Sequence, residues 1–181
     1  MTSPATFTVF ATAIGPCGVA WGDEGLVAVQ LPEANERATR SRLQRRVAGA
    51  GEGTPPADVR TAVAAIVALL DGERPDLSGI ALDMSGVPEF HRQVYEVART
   101  IGPGQTCTYG EVSVRIGEPG AARAVGQALG RNPFPIVVPC HRVVAAHGKL
   151  GGFSAHGGTT TKVRLLTIEG SLAPTLWDHQ P

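Results

Sequence analysis

The sequence has few cysteines and no long hydrophobic run. Its three cysteines, Cys17, Cys107 and Cys140, form no C-x-x-C pair, and no histidine cluster has zinc-ligand spacing. We therefore expect no disulfide framework, no metal and no cofactor. The longest apolar stretch, Ala62 to Leu70, is too short to span a bilayer, and residues 1–10 lack the pattern of a signal peptide. This predicts a cytoplasmic protein with no membrane partner, in a compartment where a free thiolate survives.

The sequence also lacks net charge, but the two halves differ. Residues 1–84 carry 7 Lys/Arg and 10 Asp/Glu, whereas residues 85–170 carry 9 and 5. Zero net charge argues against a generic cationic nucleic-acid binder. The positive excess of the C-terminal half suits a phosphate-binding module attached to an acidic companion, and it equally suits an ordinary solvated surface.

Short β-type runs and helical patterns alternate in the N-terminal half. Three apolar, β-branched runs separated by Gly-containing turns predict a small antiparallel sheet: residues 6–9, 19–21 and 26–31. Charged residues from 33 to 47 predict a helix, and a second helix beginning at Ala57 is expected to stop at Asp71-Gly72. An alternating segment, Ile80 to Met84, predicts one more strand before a domain boundary near residue 86.

The C-terminal half has helical patterns throughout. Apolar residues recur at helical spacing from Phe90 to Ile101. Thr108 is expected to cap a helix from Tyr109 to Ile116, and a Gly-Pro turn leads to a helix of small residues, 121–129. This is the pattern of a helix-turn-helix. Small side chains permit close approach to another surface, and tight packing against a neighbouring helix is one explanation for them.

The chemistry-bearing run is Pro139-Cys140-His141-Arg142, which follows three apolar residues. Cysteine is a strong nucleophile, but with a free pKa of about 8.5 it needs a base or a positive field to become a thiolate. His141 and Arg142 are candidates for these two roles. A Cys-His pair alone also fits a buried, inert cysteine, because adjacent residues need not face each other.

Several dispersed motifs around this run resemble the O6-alkylguanine-DNA alkyltransferases. They are Tyr109, Ala-Ala-Arg-Ala-Val at 121–125, Asn132-Pro133, Pro-Cys-His-Arg-Val at 139–143, Gly-Phe-Ser at 152–154 and Glu169-Gly170. The resemblance is specific over residues 90–170 and looser before them. It implies an α+β fold. A ribonuclease H-like domain with a small antiparallel sheet and helices (1–86) would precede a mostly helical DNA-binding and alkyltransferase domain with the helix-turn-helix (87–171), then a tail (172–181).

The family resemblance implies direct repair of O6-alkylguanine in double-stranded DNA, with O4-alkylthymine as a further candidate substrate. Cys140 would take the alkyl group, His141 would accept its proton through a water, and Glu169 would orient the histidine. Because water does not hydrolyse the S–C bond of a thioether, the alkyl group would stay on Cys140 and each molecule would act once. The expected form is a monomer, and cooperative binding to DNA is left open.

Further residues acquire roles by the same resemblance. Tyr109 would assist departure of the guanine and flipping of the base, and Arg123 would fill the vacated place in the stack. Asn132 would brace the turn before the active site. The other expected DNA contacts are Ala121, Ala122, Gly126 and Arg142, and the other expected substrate contacts are Val143, Phe153 and Ser154. Taken alone, Arg123 also fits a phosphate contact and Glu169 a solvated charge.

The loop after Phe153 departs from the family pattern. Many relatives run from an aromatic-Ser pair straight into Gly-Gly, whereas this sequence inserts Ala155 and His156. Phe153 replaces a frequent tyrosine, and Lys162 falls where a basic residue is usual once the insertion is allowed for. The preferred alkyl size therefore stays open, and His156 is interpreted as an exposed loop histidine.

Three other functions fit parts of the sequence. A protein that only binds the lesion would recruit other repair factors, but such relatives lack the acceptor cysteine. A Cys-His-Glu hydrolase would use the same triad logic, yet it leaves the helix-turn-helix and Arg123 unexplained. A structural DNA-binding domain would bind undamaged and alkylated duplexes equally well.

Overall fold

The computed structural model describes residues 4–172 and has the expected α+β class. The strands are β1 (Thr6–Thr12), β2 (Gly15–Gly22), β3 (Gly25–Gln30), β4 (Gly51–Glu52), β5 (Cys107–Thr108) and β6 (Val143–Val144). The helices are α1 (Glu36–Arg46), α2 (Ala57–Leu70), α3 (Glu89–Arg99), α4 (Tyr109–Arg115), α5 (Ala122–Gly130) and α6 (Thr159–Ile168), with a 3-10 turn at Cys140–Arg142. Within residues 4–172, no helix is long and apolar enough to cross a membrane. The expected tail lies outside the described residues from position 173 onward.

The N-terminal sheet has the order β3-β2-β1-β4. Its first three strands are antiparallel, as expected, and β4 adds a short parallel edge that pairs Thr6 with Gly51. The prediction of a strand over 80–84 is wrong, because this segment makes only one bridge, between Leu82 and Leu26. The 80–84 segment crosses β3 at Gly25, where a Cβ atom would lie 2.6 Å from the Ala81 carbonyl oxygen. A close crossing of this kind does not extend into a ladder.

A continuous hydrophobic core joins the two halves of the chain. The main cluster of buried side chains includes Val19 and Ile66 from the N-terminal half, and Tyr95 and Phe134 from the C-terminal half. A smaller cluster lies between the sheet and α1, around Leu43. The expected boundary at residue 86 falls in the non-helical segment between α2 and α3, and the division into two domains stays a prediction.

The helix-turn-helix is formed by α4 and α5, which pack against each other. Thr108 caps α4 as expected: its hydroxyl accepts the Glu111 N–H at 3.1 Å, and the Glu111 carboxylate accepts the Thr108 N–H at 2.6 Å. Caps of this kind typically contribute about 1 kcal/mol. Helix α3 supports α5 from behind, since the buried Tyr95 hydroxyl donates to the Ala128 carbonyl at 2.8 Å.

Candidate active site

Cys140 starts the 3-10 turn after a sharply bent segment that Asn132 holds in place. The Asn132 side chain donates to the Val138 carbonyl at 2.8 Å and accepts the Phe134 N–H at 2.9 Å. Between these points, the buried Ile136 has φ +75, which costs a β-branched residue roughly 1–3 kcal/mol. Asn132 therefore bonds to both sides of the bend, and surrounding contacts stabilise a strained backbone next to Cys140.

The N-terminal half supports the same bend. The Pro133 carbonyl accepts the Val29 N–H at 2.9 Å and a guanidinium N–H of Arg46 at 3.0 Å. The other terminal nitrogen of Arg46 donates to the Val29 carbonyl at 2.7 Å. Because these bonds tie α1 and β3 to the residue after Asn132, the N-terminal sheet and α1 hold the bend in place. No sequence pattern indicated this role for Arg46.

Behind Cys140, His141 and Glu169 form a fully buried pair. The His141 Nε2–H donates to Glu169 Oε1 at 2.8 Å, because an ionised carboxylate can only accept. The other ring nitrogen, Nδ1, is then an acceptor, and it has no hydrogen-bond partner among the described residues. Burial lowers the pKa of His141 despite the opposing effect of Glu169. The imidazole is therefore neutral near pH 7 and can accept a proton at Nδ1.

Arg142, an expected DNA contact, is committed to partners inside the protein instead. Its side chain is buried, and Nε and Nη2 donate to the two carboxylate oxygens of Glu169 at 2.8 Å each. Its third group, Nη1, donates to the Ile101 carbonyl. A buried guanidinium requires such partners. Burial opposes ionisation of Glu169, but the hydrogen bonds from Arg142 and His141 lower its pKa to about 2, so the carboxylate stays charged.

Lys162 is a buried site residue that the sequence analysis mentioned only in passing. Its ammonium donates to the Val143 carbonyl at 2.7 Å and to the Gly152 carbonyl at 3.3 Å, and lies 3.5 Å from the Tyr109 hydroxyl. Burial lowers the pKa of Lys162 to about 8. The available signal was that Lys162 falls at a position where the family usually has a basic residue, once the insertion of Ala155 and His156 is allowed for. The Val143 backbone was expected to contact substrate, and its carbonyl accepts a hydrogen bond from Lys162.

A cavity of about 460 Å³, here called the front cavity, brings together most of the expected substrate and DNA residues. Its lining includes Tyr109, Ala122, Arg123, Gly126, Cys140, Phe153 and Ser154. Burial raises the pKa of Tyr109, so its hydroxyl stays protonated and can donate. Gly151 permits the close approach of this ring: it has φ +75, and a Cβ atom there would lie 2.8 Å from the Tyr109 oxygen.

The outer face of α5 is open. Arg123 is exposed and makes no hydrogen bond or ion pair with any other described residue. Ala122 and Gly126 lie beside it at the cavity wall, and Ala121 is at the N-cap position of the helix. The small side chains therefore leave the rim around Arg123 accessible, as the close-approach interpretation requires. Tight helix packing, the competing interpretation, accounts for Ala128 on the buried side of α5.

The thiol of Cys140 is held in its protonated form. Burial raises the pKa of its thiol, while a hydrogen bond from Asn132, the charge of Lys162 and the nearby backbone N–H groups act to lower it. The net effect is a raised pKa, so the thiol needs a base to react near pH 7. Residues 4–172 contain no cluster of three or more side chains able to hold a metal ion. The arrangement suits nucleophilic chemistry by sulfur.

The chain matches known proteins over the region that carries this site. Residues 89–171 match the family model described as 6-O-methylguanine DNA methyltransferase, DNA binding domain. The methylated-DNA–protein-cysteine methyltransferase of Methanothermobacter thermautotrophicus is 38% identical over 153 residues, which cover 84% of this chain and 78% of that protein. The protein of the same name from Mycolicibacterium paratuberculosis is 51% identical over 102 residues, 55% of this chain and 60% of that relative.

A solved structure extends the likeness to the whole fold. The crystal structure of Mycobacterium tuberculosis OGT in complex with DNA superposes with a TM-score of 0.72 at 34% identity, over 92% of this chain and 93% of that one. Sequence identity and shared fold therefore agree across both halves of the chain, and the resemblance inferred from the dispersed motifs is confirmed. On this basis the chain belongs to the methylated-DNA–protein-cysteine methyltransferase family.

Proposed function

We propose that this protein repairs duplex DNA by moving an alkyl group from guanine O6 to the sulfur of Cys140. The observation that carries the proposal is the position of Cys140. It opens onto the front cavity beside Arg123 and has the buried His141–Glu169 pair behind it. A hydrolase would account for the His141–Glu169 pair, but it would not account for the exposed arginine of a helix-turn-helix at the cavity rim. O4-alkylthymine stays a second candidate substrate.

In this reaction His141 removes the proton from the Cys140 thiol. Its Nδ1 is the ring nitrogen free to accept, directly or through a water, while Nε2 remains bonded to Glu169. The charged carboxylate stabilises the imidazolium that forms, and Arg142 keeps that carboxylate in place. The new thiolate is stabilised by Lys162 and by the Asn132 hydrogen bond. Arg142 thus acts through Glu169 as a positioning residue.

The transfer itself is a displacement at the carbon bound to O6. The thiolate forms the S–C bond, the C–O6 bond breaks, and its electron pair remains on the guanine. Tyr109 donates a proton to the departing base, and Lys162, 3.5 Å from the Tyr109 oxygen with a pKa of about 8, can replace that proton. The thioether is stable in water, so one molecule repairs one lesion.

Base flipping explains the shape of α5. An alkylated guanine within the stack cannot reach the front cavity, so the base must rotate out at a cost of a few kcal/mol. Ala122 and Gly126 allow α5 to enter the minor groove, and Arg123 occupies the space the base leaves. We place this reaction in the cytoplasm, where Cys140 stays reduced, and the proposed active form is a monomer.

Intact-protein and peptide mass spectrometry test the proposal. Incubation with a duplex containing one O6-methylguanine should add one methyl group, about 14 Da, to the peptide that contains Cys140, as covalent capture by the nucleophile requires. Cys140→Ala should show no addition, while the Cys17→Ala control should react as the unmodified protein does. Methyl transfer that persists in Cys140→Ala contradicts the proposal, and tight lesion binding without any transfer favours the binding-only alternative.

A further inference from the structure

Cys140 also borders a second cavity, of about 290 Å³, on the side facing the N-terminal half. We call it the junction cavity, because its walls come from both halves of the chain. It shares Cys140, Phe153 and Ser154 with the front cavity. Its remaining wall residues include Glu33, Arg42, Arg46, Arg131, Ala155 and His156. The two inserted residues of the 153–158 loop thus form part of this wall.

Positive charge dominates the junction cavity. Arg42, Arg46 and Arg131 face a single carboxylate, Glu33. The Glu33 carboxylate already has three neighbours: Gln30 at 3.4 Å, His156 at 3.4 Å and Arg42 at 4.0 Å. A further anion entering the cavity would therefore meet three guanidinium groups against one carboxylate, and that carboxylate already contacts Gln30 and His156.

Two of the three guanidinium groups are available to a ligand. Arg46 is committed to the carbonyls of Val29 and Pro133. Arg131 is exposed and makes no side-chain hydrogen bond or ion pair within residues 4–172, and Arg42 only approaches Glu33 at 4.0 Å. Guanidinium groups bind carboxylates through charge-assisted hydrogen bonds, which are stronger than neutral ones.

The geometry of displacement directs large alkyl groups away from the base. Sulfur, carbon and O6 must lie nearly in line, so the remainder of an alkyl chain projects sideways from that line. The guanine itself would occupy the front cavity between Tyr109 and Ser154. The junction cavity, which shares the Cys140 wall, is then the adjoining space into which the chain can extend.

We propose that the junction cavity is a subsite for the far end of alkyl groups that end in a carboxylate. The protein then transfers such O6-carboxyalkyl groups faster than neutral groups of the same size, with Arg42 and Arg131 as the specificity-determining residues. This inference rests on the proposed function and names a substrate class for it. A methyl group is too small to reach the subsite.

Single-turnover rates on three duplexes test the subsite. They carry O6-(3-carboxypropyl)guanine, its neutral amide analogue O6-(3-carbamoylpropyl)guanine, or O6-methylguanine in one sequence. We expect the carboxylate duplex to react roughly fivefold faster than the amide duplex, which is about 1 kcal/mol, and added salt to reduce the ratio. Arg42→Gln and Arg131→Gln should each bring the carboxylate-to-amide ratio towards one, and Arg45→Gln, on the same helix but outside the cavity wall, should leave it unchanged.

The possible results distinguish a failure of the subsite proposal from a failure of the proposed alkyl transfer. Methyl transfer with a carboxylate-to-amide ratio of one overturns the subsite and leaves the proposed function standing. The subsite is also overturned if Arg42→Gln and Arg131→Gln slow both duplexes equally, because the cavity then binds a DNA phosphate. Absence of methyl transfer overturns the proposed function, and the subsite with it.

Discussion

Replacing Glu169 with glutamine removes the charge that joins His141 to Arg142. In the folded protein the pKa of Glu169 falls from its usual 4.5 to about 2, because the hydrogen bonds from Arg142 and His141 outweigh the effect of burial. A difference of this size corresponds to about 3 kcal/mol of folding free energy at neutral pH. Glutamine also leaves the Arg142 guanidinium buried without a counter-charge, which acts in the same direction.

The dependence on pH is the diagnostic part of this prediction. Since the folded pKa of Glu169 is depressed, its contribution is complete above about pH 4.5 and is lost as the pH falls towards 2. We therefore expect Glu169→Gln to lower the free energy of unfolding by about 3 kcal/mol between pH 5 and 7. The deficit should shrink by about 1.4 kcal/mol for each pH unit below 4.5.

Urea unfolding followed by circular dichroism at pH 7, 5, 4 and 3 measures this deficit. Glu118→Gln, an exposed position in the turn between α4 and α5, is the matched control and should change stability little at any pH. A deficit for Glu169→Gln that stays constant from pH 7 to pH 3 would refute the assignment of this carboxylate as a charged partner. Alkyl transfer by the folded variant should slow by roughly 100-fold or more, because the imidazolium loses its stabilising charge.

Three further substitutions probe the surroundings of Cys140. Lys162→Met removes a positive charge that acts to lower the thiol pKa of Cys140, so we expect that pKa to rise, measured from iodoacetamide reaction rates against pH. Arg46→Ala removes the bond to the Pro133 carbonyl and should slow alkyl transfer roughly tenfold while DNA affinity stays unchanged. Arg123→Ala should slow transfer from duplex DNA roughly tenfold yet leave transfer from the free base O6-benzylguanine unchanged, since only the duplex requires flipping.

Two of these substitutions have a matched control on an exposed site, and for Arg123→Ala the free-base reaction is the control. Lys149→Met removes a lysine charge from the exposed part of the 145–152 loop, and Arg45→Ala removes an arginine next to Arg46 that lines neither cavity. Equal effects of Arg45→Ala and Arg46→Ala would contradict the bracing role of Arg46. A thiol pKa that Lys162→Met leaves unchanged would contradict the proposed stabilisation of the thiolate. Equal slowing of duplex and free-base transfer would contradict the flipping role of Arg123.

Local signals predicted most of the secondary structure. The capping box at Thr108 and the helix stop at Asp71-Gly72 depend on residues within one turn of each other, so they are visible in the sequence. The strand expected over 80–84 does not form, because a strand needs a partner edge along its length. This segment meets β3 only at Gly25 and Leu26. The short strand Gly51–Glu52 was missed for the same reason, since β1 alone gives it a partner.

Residue types in a fixed order along the chain were enough to predict the fold class and the family, and they singled out Cys140 as the candidate nucleophile. The contacts of Arg142 with Glu169, of Lys162 with the Val143 carbonyl and of Arg46 with the bend before Cys140 are visible only in the folded protein. These contacts join residues far apart in sequence, 27 positions for Arg142 and Glu169 and 87 for Arg46 and Pro133. A charged side chain carries no local signal of its partner, which is set by the approach of distant segments that folding alone brings together.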